Sequence, residues 1–275
     1  MNTLERVDED FAGGLAPRWR RHEVGVGRLE VDRIDGPVLR CTLTDASASQ
    51  YSNAQIDDYS RQPNGRRLPR RRFPWRPPLQ MTVRARFSHS ADDLRGTAGF
   101  GFWNDPFMMT EWRAPTLPRA VWFFYASPPS NMKLDLETPG RGWKAATVDA
   151  LRPAALALAP LAPLAVLLMN VPPFYRALWP PIQRALNVQE ALVGVELTEW
   201  HTYILTWGMT CVGFSVDGNP VLVDAPAPRG PLGFVLWMDN QYMVVTPQGR
   251  FRWGVLDAPG RQWMAVERLE IKPGV

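Results

Sequence analysis

The chain has few of the residues on which common chemistries depend. Among 275 residues there are three histidines (His22, His89, His201) and two cysteines (Cys41, Cys211). None stands at metal-ligand spacing, so neither a metal site nor a cofactor is expected. There is no Gly-x-Ser-x-Gly, no Walker-type phosphate loop and no dinucleotide fingerprint. Residues 1–6 lack the basic-then-apolar run of a secretory signal, which makes cytoplasmic residence the expectation. Both cysteines fall in apolar strand patterns and read as buried free thiols.

Acids are missing from two segments. Arg61, Arg66, Arg67, Arg70, Arg71, Arg72 and Arg76 share a proline-rich loop, 61–78, that carries no carboxylate. Such a block is usually a solvated segment. Its other reading is contact with an anionic surface through Arg66, Arg67, Arg70, Arg71 and Arg72. Nucleic acid is disfavoured, because single-strand recognition calls for interleaved aromatics and only Phe73 and Trp75 accompany the arginines. The second segment, 153–175, has no charge at all.

Proline (27) and glycine (21) are plentiful, as many turns between short strands require and a helical bundle does not. Residues 38–43 and 79–87 alternate apolar and polar with a period of two. Residues 232–241 and 242–246 read as strands flanking a polar knot, and 251–256 and 263–271 as strands that close the sheet. The whole chain, 1–275, reads as one domain interrupted at 150–192. There, alanine and leucine favour helix while Pro160 and Pro163 break it. The insertion is long enough for a membrane span, but the prolines and flanking strands favour an interfacial lid or a cap on the domain. Residues 174–192 read as amphipathic helix.

Residues 199–207 (Glu-Trp-His-Thr-Tyr-Ile-Leu-Thr-Trp) and 212–218, which ends in Asp217-Gly218, read as paired strands. This hairpin resembles the late hairpin of laminarinase-like β-glucanases in the concanavalin A-like superfamily. Phe11 and Trp19 resemble that superfamily's entry pair. The resemblance implies an all-β, two-sheet antiparallel jelly-roll sandwich, here with a helical insertion. It also implies that the strand near 119–125 should carry Glu-x-Asp-x-Glu, two of whose acids perform retaining hydrolysis. This chain has Ala120-Val121-Trp122-Phe123-Phe124-Tyr125 there, with no acid. One bulge would exchange the face of Trp122 and Phe124 for that of Val121, Phe123 and Tyr125.

The residues expected to line a groove are Gln55, Asp57, Trp103, Asp105, Trp122, Phe124, Trp237, Asp239 and Asn240. Asp105 and Asp239 are the available acids if any chemistry occurs, with Asp58 nearby; the competing reading seats both in turns that bond their own backbone. His201 reads as structural. Three functions are compatible with this set. The first is a non-hydrolytic protein holding an apolar or amphipathic ligand, peripheral to a membrane. The second is a carbohydrate-binding or degenerate hydrolase-like module. The third is an isomerase or cyclase acting on an apolar substrate. Oligomeric state is not legible.

Overall fold

A computed structural model describes residues 6–33, 36–59, 73–107 and 116–274. Two antiparallel sheets form the body. The eight-stranded sheet runs in the order Asn219–Pro226, Cys211–Val216, His201–Trp207, Leu79–Phe87, Ala258–Pro273, Val38–Ala46, Gly27–Asp32, with Val7–Glu9 also paired to the long strand Ala258–Pro273. The seven-stranded sheet runs Gln189–Leu192, Gly142–Asp149, Arg119–Ala126, Thr97–Trp103, Gly233–Asp239, Asn53–Asp57, Arg20–Val24. Consecutive strands pair as hairpins toward the sheet edges, while Leu79–Phe87, Ala258–Pro273 and Gly233–Asp239 pair with strands distant in sequence and join those hairpins into sheets.

Period-two patterning puts one face of each strand into the core. Leu79, Met81, Val83, Ala85 and Phe87 are buried along one strand, and His201, Tyr203, Leu205 and Trp207 along its neighbour. From the opposite sheet come Phe100, Phe102, Val121, Phe123, Tyr125 and Trp143. Rings meet edge-to-face across the gap, as Phe123 does with Tyr203 at 5.2 Å and with Phe214 at 5.2 Å. Phe11 and Trp19 join the same cluster, as their motif implies.

The hairpin legible in the sequence is present. His201–Trp207 pairs with Cys211–Val216, and Asp217 (φ 51°) and Gly218 (φ 80°) make the turn into the next strand. His201 is structural, facing Asp217 Oδ2 through Nδ1 at 2.6 Å and donating from Nε2 to the Glu196 carbonyl at 2.8 Å. On the far side of the eight-stranded sheet, Arg86 lies over Trp200 (4.9 Å) and Trp263 (5.6 Å). Arg40 lies over Trp263 at 4.7 Å, so cation–π stacking shields those rings.

Four expectations need correction. Cys211 is exposed, because Val212, Phe214 and Val216 take the inward positions of its strand. Phe251–Val255 closes neither main sheet; it pairs with Gln241–Val245 in a separate ribbon. The insertion is helical only over Pro153–Leu158, the 3₁₀ turn Ala159–Leu161, Ala162–Leu168 and Pro172–Ala185. Gln189–Leu192 is an edge strand on Gly142–Asp149. Among the described residues, no helix is long and apolar enough to cross a membrane.

Candidate functional site

The outer face of the seven-stranded sheet is fixed by register. Val121, Phe123 and Tyr125 belong to the core between the sheets, so Ala120, Trp122, Phe124 and Ala126 point outward. Pairing extends this across the sheet. One row reads His22, Gln55, Trp237, Gly99, Phe124, Lys144. The next reads Arg20, Asp57, Val235, Gly101, Trp122, Ala146, Glu190. Trp103 stands beside Ala120 one row further along, and Asp239 lies between Asn53 and Thr97 at the opposite end.

Four rings occupy the centre. Trp122 lies 5.7 Å from Trp103, 5.4 Å from Trp237 and 5.4 Å from Phe124. Trp103 and Trp237 are parallel within 7° at 6.4 Å. Two glycines make this packing possible. A Cβ at Gly99 would come within 2.8 Å of Trp237 Cη2 and 2.4 Å of the Phe123 carbonyl oxygen. One at Gly101 (φ +152°) would come within 2.6 Å of Trp122 Cα. Tyr59, Phe73 and Met132 pack over the cluster. Trp103, Phe124 and Trp237 are consequently only 8% exposed, while Trp122 is half-buried.

A polar border surrounds the rings. Along Asn53–Asp57, Asn53 Nδ2 donates to Gln55 Oε1 (3.4 Å) and Gln55 Nε2 to Asp57 Oδ2 (3.2 Å). His22 Nε2 lies 2.8 Å from the same Asp57 oxygen. Trp237 Nε1 donates to Thr97 Oγ1 (3.0 Å), which donates to Asp239 Oδ1 (2.7 Å). Burial pushes the Asp239 carboxyl up to about 6, against the lowering effect of its hydrogen bonds from Thr97, Gln241 and Tyr51. Burial also raises the Tyr51 phenol, and the charges of Asp239 and Asp105 add to that. The two aspartates therefore act on one hydroxyl. At the other edge, buried Lys144 Nζ lies 2.7 Å from Glu190 Oε2 and donates to the carbonyls of Met132 and Pro139. Burial raises the Glu190 carboxyl despite Lys144.

Comparison with solved structures identifies the architecture. The GlcNAcα1-4Gal-releasing endo-β-galactosidase from Clostridium perfringens superposes with a TM-score of 0.51 at 12% identity, over 96% of this chain and 61% of that one. A prokaryotic β-1,3-1,4-glucanase (lichenase) derived from a mouse hindgut metagenome gives 0.51 at 12% identity, over 98% and 100%. The fold is a concanavalin-like jelly roll. No family model matches the chain, and no curated protein matches it.

On this jelly roll the structure brings Gln55, Asp57, Trp103, Trp122, Phe124, Trp237 and Asp239 to one face of one sheet. Asp105 is fully buried just beyond Trp103. Asp239 also bonds its own backbone, accepting from Gln241 N at 3.0 Å, so both readings of that residue hold in part. Two expectations fail. Asn240 does not face a ligand, because its Oδ1 accepts from Ser52 N and its Nδ2 donates to the carbonyls of Ser47, Gln50 and Leu256. Its bonding capacity is spent on tying loops together. Asp58 leaves the face for the sheet end, accepting from Trp75 Nε1 and Phe234 N. Burial pushes its carboxyl up to about 7. Arg66, Arg67, Arg70, Arg71 and Arg72 lie outside the described residues.

Sequence reading missed Tyr51, His22, Thr97, Lys144 and Glu190, which are polar residues scattered over separate strands. Gly99 and Gly101 carried no role there either. Their alternation within an aromatic strand was the available signal: glycine inside a strand marks close approach by a neighbour.

Proposed function

We propose that the protein is a sugar-binding module on a hydrolase-like jelly roll that does not cleave by the paired-carboxylate route. The observation that carries this is the outward face of Arg119–Ala126, which presents alanine, tryptophan and phenylalanine and no acid. Retaining chemistry needs two carboxyl groups about 5–5.5 Å apart, and inverting chemistry about 6.5–9.5 Å. Asp57 and Asp239 sit on adjacent strands four residues apart in register, or roughly 13 Å along the strand direction. A tryptophan face bordered by amides and carboxylates suits a sugar ring, which presents C–H groups to the ring and hydroxyls to the border. The structural neighbours are named for action on galactosides and glucans, which supports this class of ligand. Burial of Trp103, Phe124 and Trp237 leaves little open apolar trough, which weakens the case for a lipid-like occupant. Cytoplasmic residence remains part of the proposal, in keeping with the free thiols Cys41 and Cys211.

A glycan array probed with the purified protein tests the reading, followed by calorimetry with β-1,3-1,4-gluco-oligosaccharides. Binding that falls at least roughly tenfold, or about 1.4 kcal/mol, in Trp122→Ala supports it, since the variant loses both ring stacking and buried apolar area. Binding unchanged in Trp122→Ala, or a lipid co-purifying at unit stoichiometry, would overturn it.

One group of residues favours a second reading. Asp239 and Asp105 are both buried and both raise the Tyr51 phenol, and burial pushes the Asp239 carboxyl up to about 6. A carboxyl so placed can give up a proton at near-neutral pH, as isomerase or cyclase chemistry requires. Turnover of an isoprenoid substrate that survives intact in an Asp105→Asn, Asp239→Asn double variant would remove this alternative.

A further inference from the structure

We propose that the helical insertion and the Gln241–Val255 ribbon together form a face that docks on an anionic lipid bilayer. This is independent of what the aromatic sheet face binds. The insertion is anchored by few residues. Ala155, Met169 and Trp179 are buried, and Trp179 Nε1 donates to the Leu134 carbonyl at 3.2 Å. Several of its large apolar side chains point away from the protein. Leu161, Leu164 and Leu167 are 60%, 57% and 69% exposed, with Val171 and Phe174 also exposed. Phe251 and Trp253 project from the ribbon as a ring pair 5.1 Å apart, 55% and 65% exposed.

Contacts join the two elements into one surface. Asn170 Nδ2 donates to the Gln248 carbonyl at 3.3 Å. A Cβ at Gly249 would come within 2.5 Å of Val166 Cγ1, so the ribbon's turn rests against the second helix. Beneath both, Asn131 pairs with Val244, and Asp135 accepts from Gln183. Exposed apolar area of this extent on a soluble protein marks an interaction site.

Charge selects the partner. Between residues 151 and 189 the charged groups are Arg152, Arg176 and Arg184; between 241 and 256 they are Arg250 and Arg252. Neither segment carries an acid. A second copy of this chain would set arginine against arginine. Helices that project leucines outward offer a peptide no groove. An anionic membrane accepts both features, with leucine and phenylalanine entering the acyl boundary, tryptophan at the interface and arginine meeting headgroups.

Co-sedimentation with phosphatidylcholine vesicles, with and without phosphatidylserine, tests this on the full chain. Wild type is expected to pellet with the phosphatidylserine vesicles and to be released by salt. Leu164→Ser, Leu167→Ser and Phe251→Ser, Trp253→Ser, each pair alone, should weaken partitioning about tenfold or more. Arg250→Gln, Arg252→Gln should lose only the phosphatidylserine dependence. All six positions are exposed, and an unchanged thermal transition verifies folding. Wild type remaining in the supernatant at low salt, or serine variants that partition like wild type, would overturn the proposal. So would sedimentation equilibrium showing a dimer that the serine substitutions dissolve.

Discussion

Gly101→Ala is expected to lower folding stability by about 3–5 kcal/mol, the sum of a strained backbone and an overpacked contact. The Gly101 φ of +152° lies where L side chains are rarely found. The added methyl would sit 2.5 Å from the Val121 carbonyl oxygen and 2.6 Å from Trp122 Cα, and both are backbone atoms of the next strand that cannot swing aside. The strand pair must therefore separate, and Trp122 moves with it. In a chain of this size the change corresponds to a fall in Tm of about 10 °C or more. Tryptophan fluorescence should shift as well, since Trp103, Trp122 and Trp237 lose mutual contact. Thermal melts of wild type and variant decide it. A variant melting within a degree or two of wild type would mean that the two strands tolerate a side chain here, and that the close approach is not what seats the rings.

Asp239→Asn is expected to stabilise the protein at pH 8 and to change little at pH 4. The Asp239 carboxyl is raised from 3.8 to about 6 by burial, so the folded state holds its proton more tightly than the unfolded state does. Stability therefore falls as pH rises from near 4 to about 6, and the cost is constant above that. The full cost is about 3 kcal/mol at most. Asparagine keeps an oxygen to accept from Thr97 and Gln241 and has no charge to bury. Asp58, raised to about 7 by burial, titrates in the same direction. Wild type should thus lose stability between pH 4 and 7, while the Asp239→Asn variant loses less. Urea unfolding of both proteins at pH 4 and pH 8 isolates the Asp239 contribution as a difference of differences. An equal gap between the two proteins at both pH values would show that Asp239 is ionised without penalty. It would also remove the physical basis for Asp239 as a proton donor.

The strands were legible wherever one face is buried and the other wet. Residues 79–87 and 201–207 alternate because each sits in a half-solvated antiparallel sheet, and the Asp217-Gly218 turn follows from the positive φ that a tight hairpin demands. Thr97–Trp103 and Gly233–Asp239 are buried on both faces, so composition identified them as strands but could not assign their sides. The hairpin pattern also pointed to the jelly roll, because its turn and its inward aromatic positions are local properties. It could not show that Phe251–Val255 leaves the main sheets, since a strand's partner is a long-range matter.

The sequence by itself determined the all-β class, the period of several strands, the proline-broken insertion and the absence of Asp and Glu from residues 119–126. Each of these depends on residue type and near neighbours. Only the tertiary structure decided which way Trp122 faces, that Gly99 and Gly101 clear a space for rings from adjacent strands, and that Asp239 and Asp105 both act on Tyr51. It also decided that the insertion and a distant ribbon, two segments that carry no acid, share one apolar surface. Those outcomes depend on register and on contacts between segments from about twenty to nearly two hundred residues apart, which no local pattern encodes.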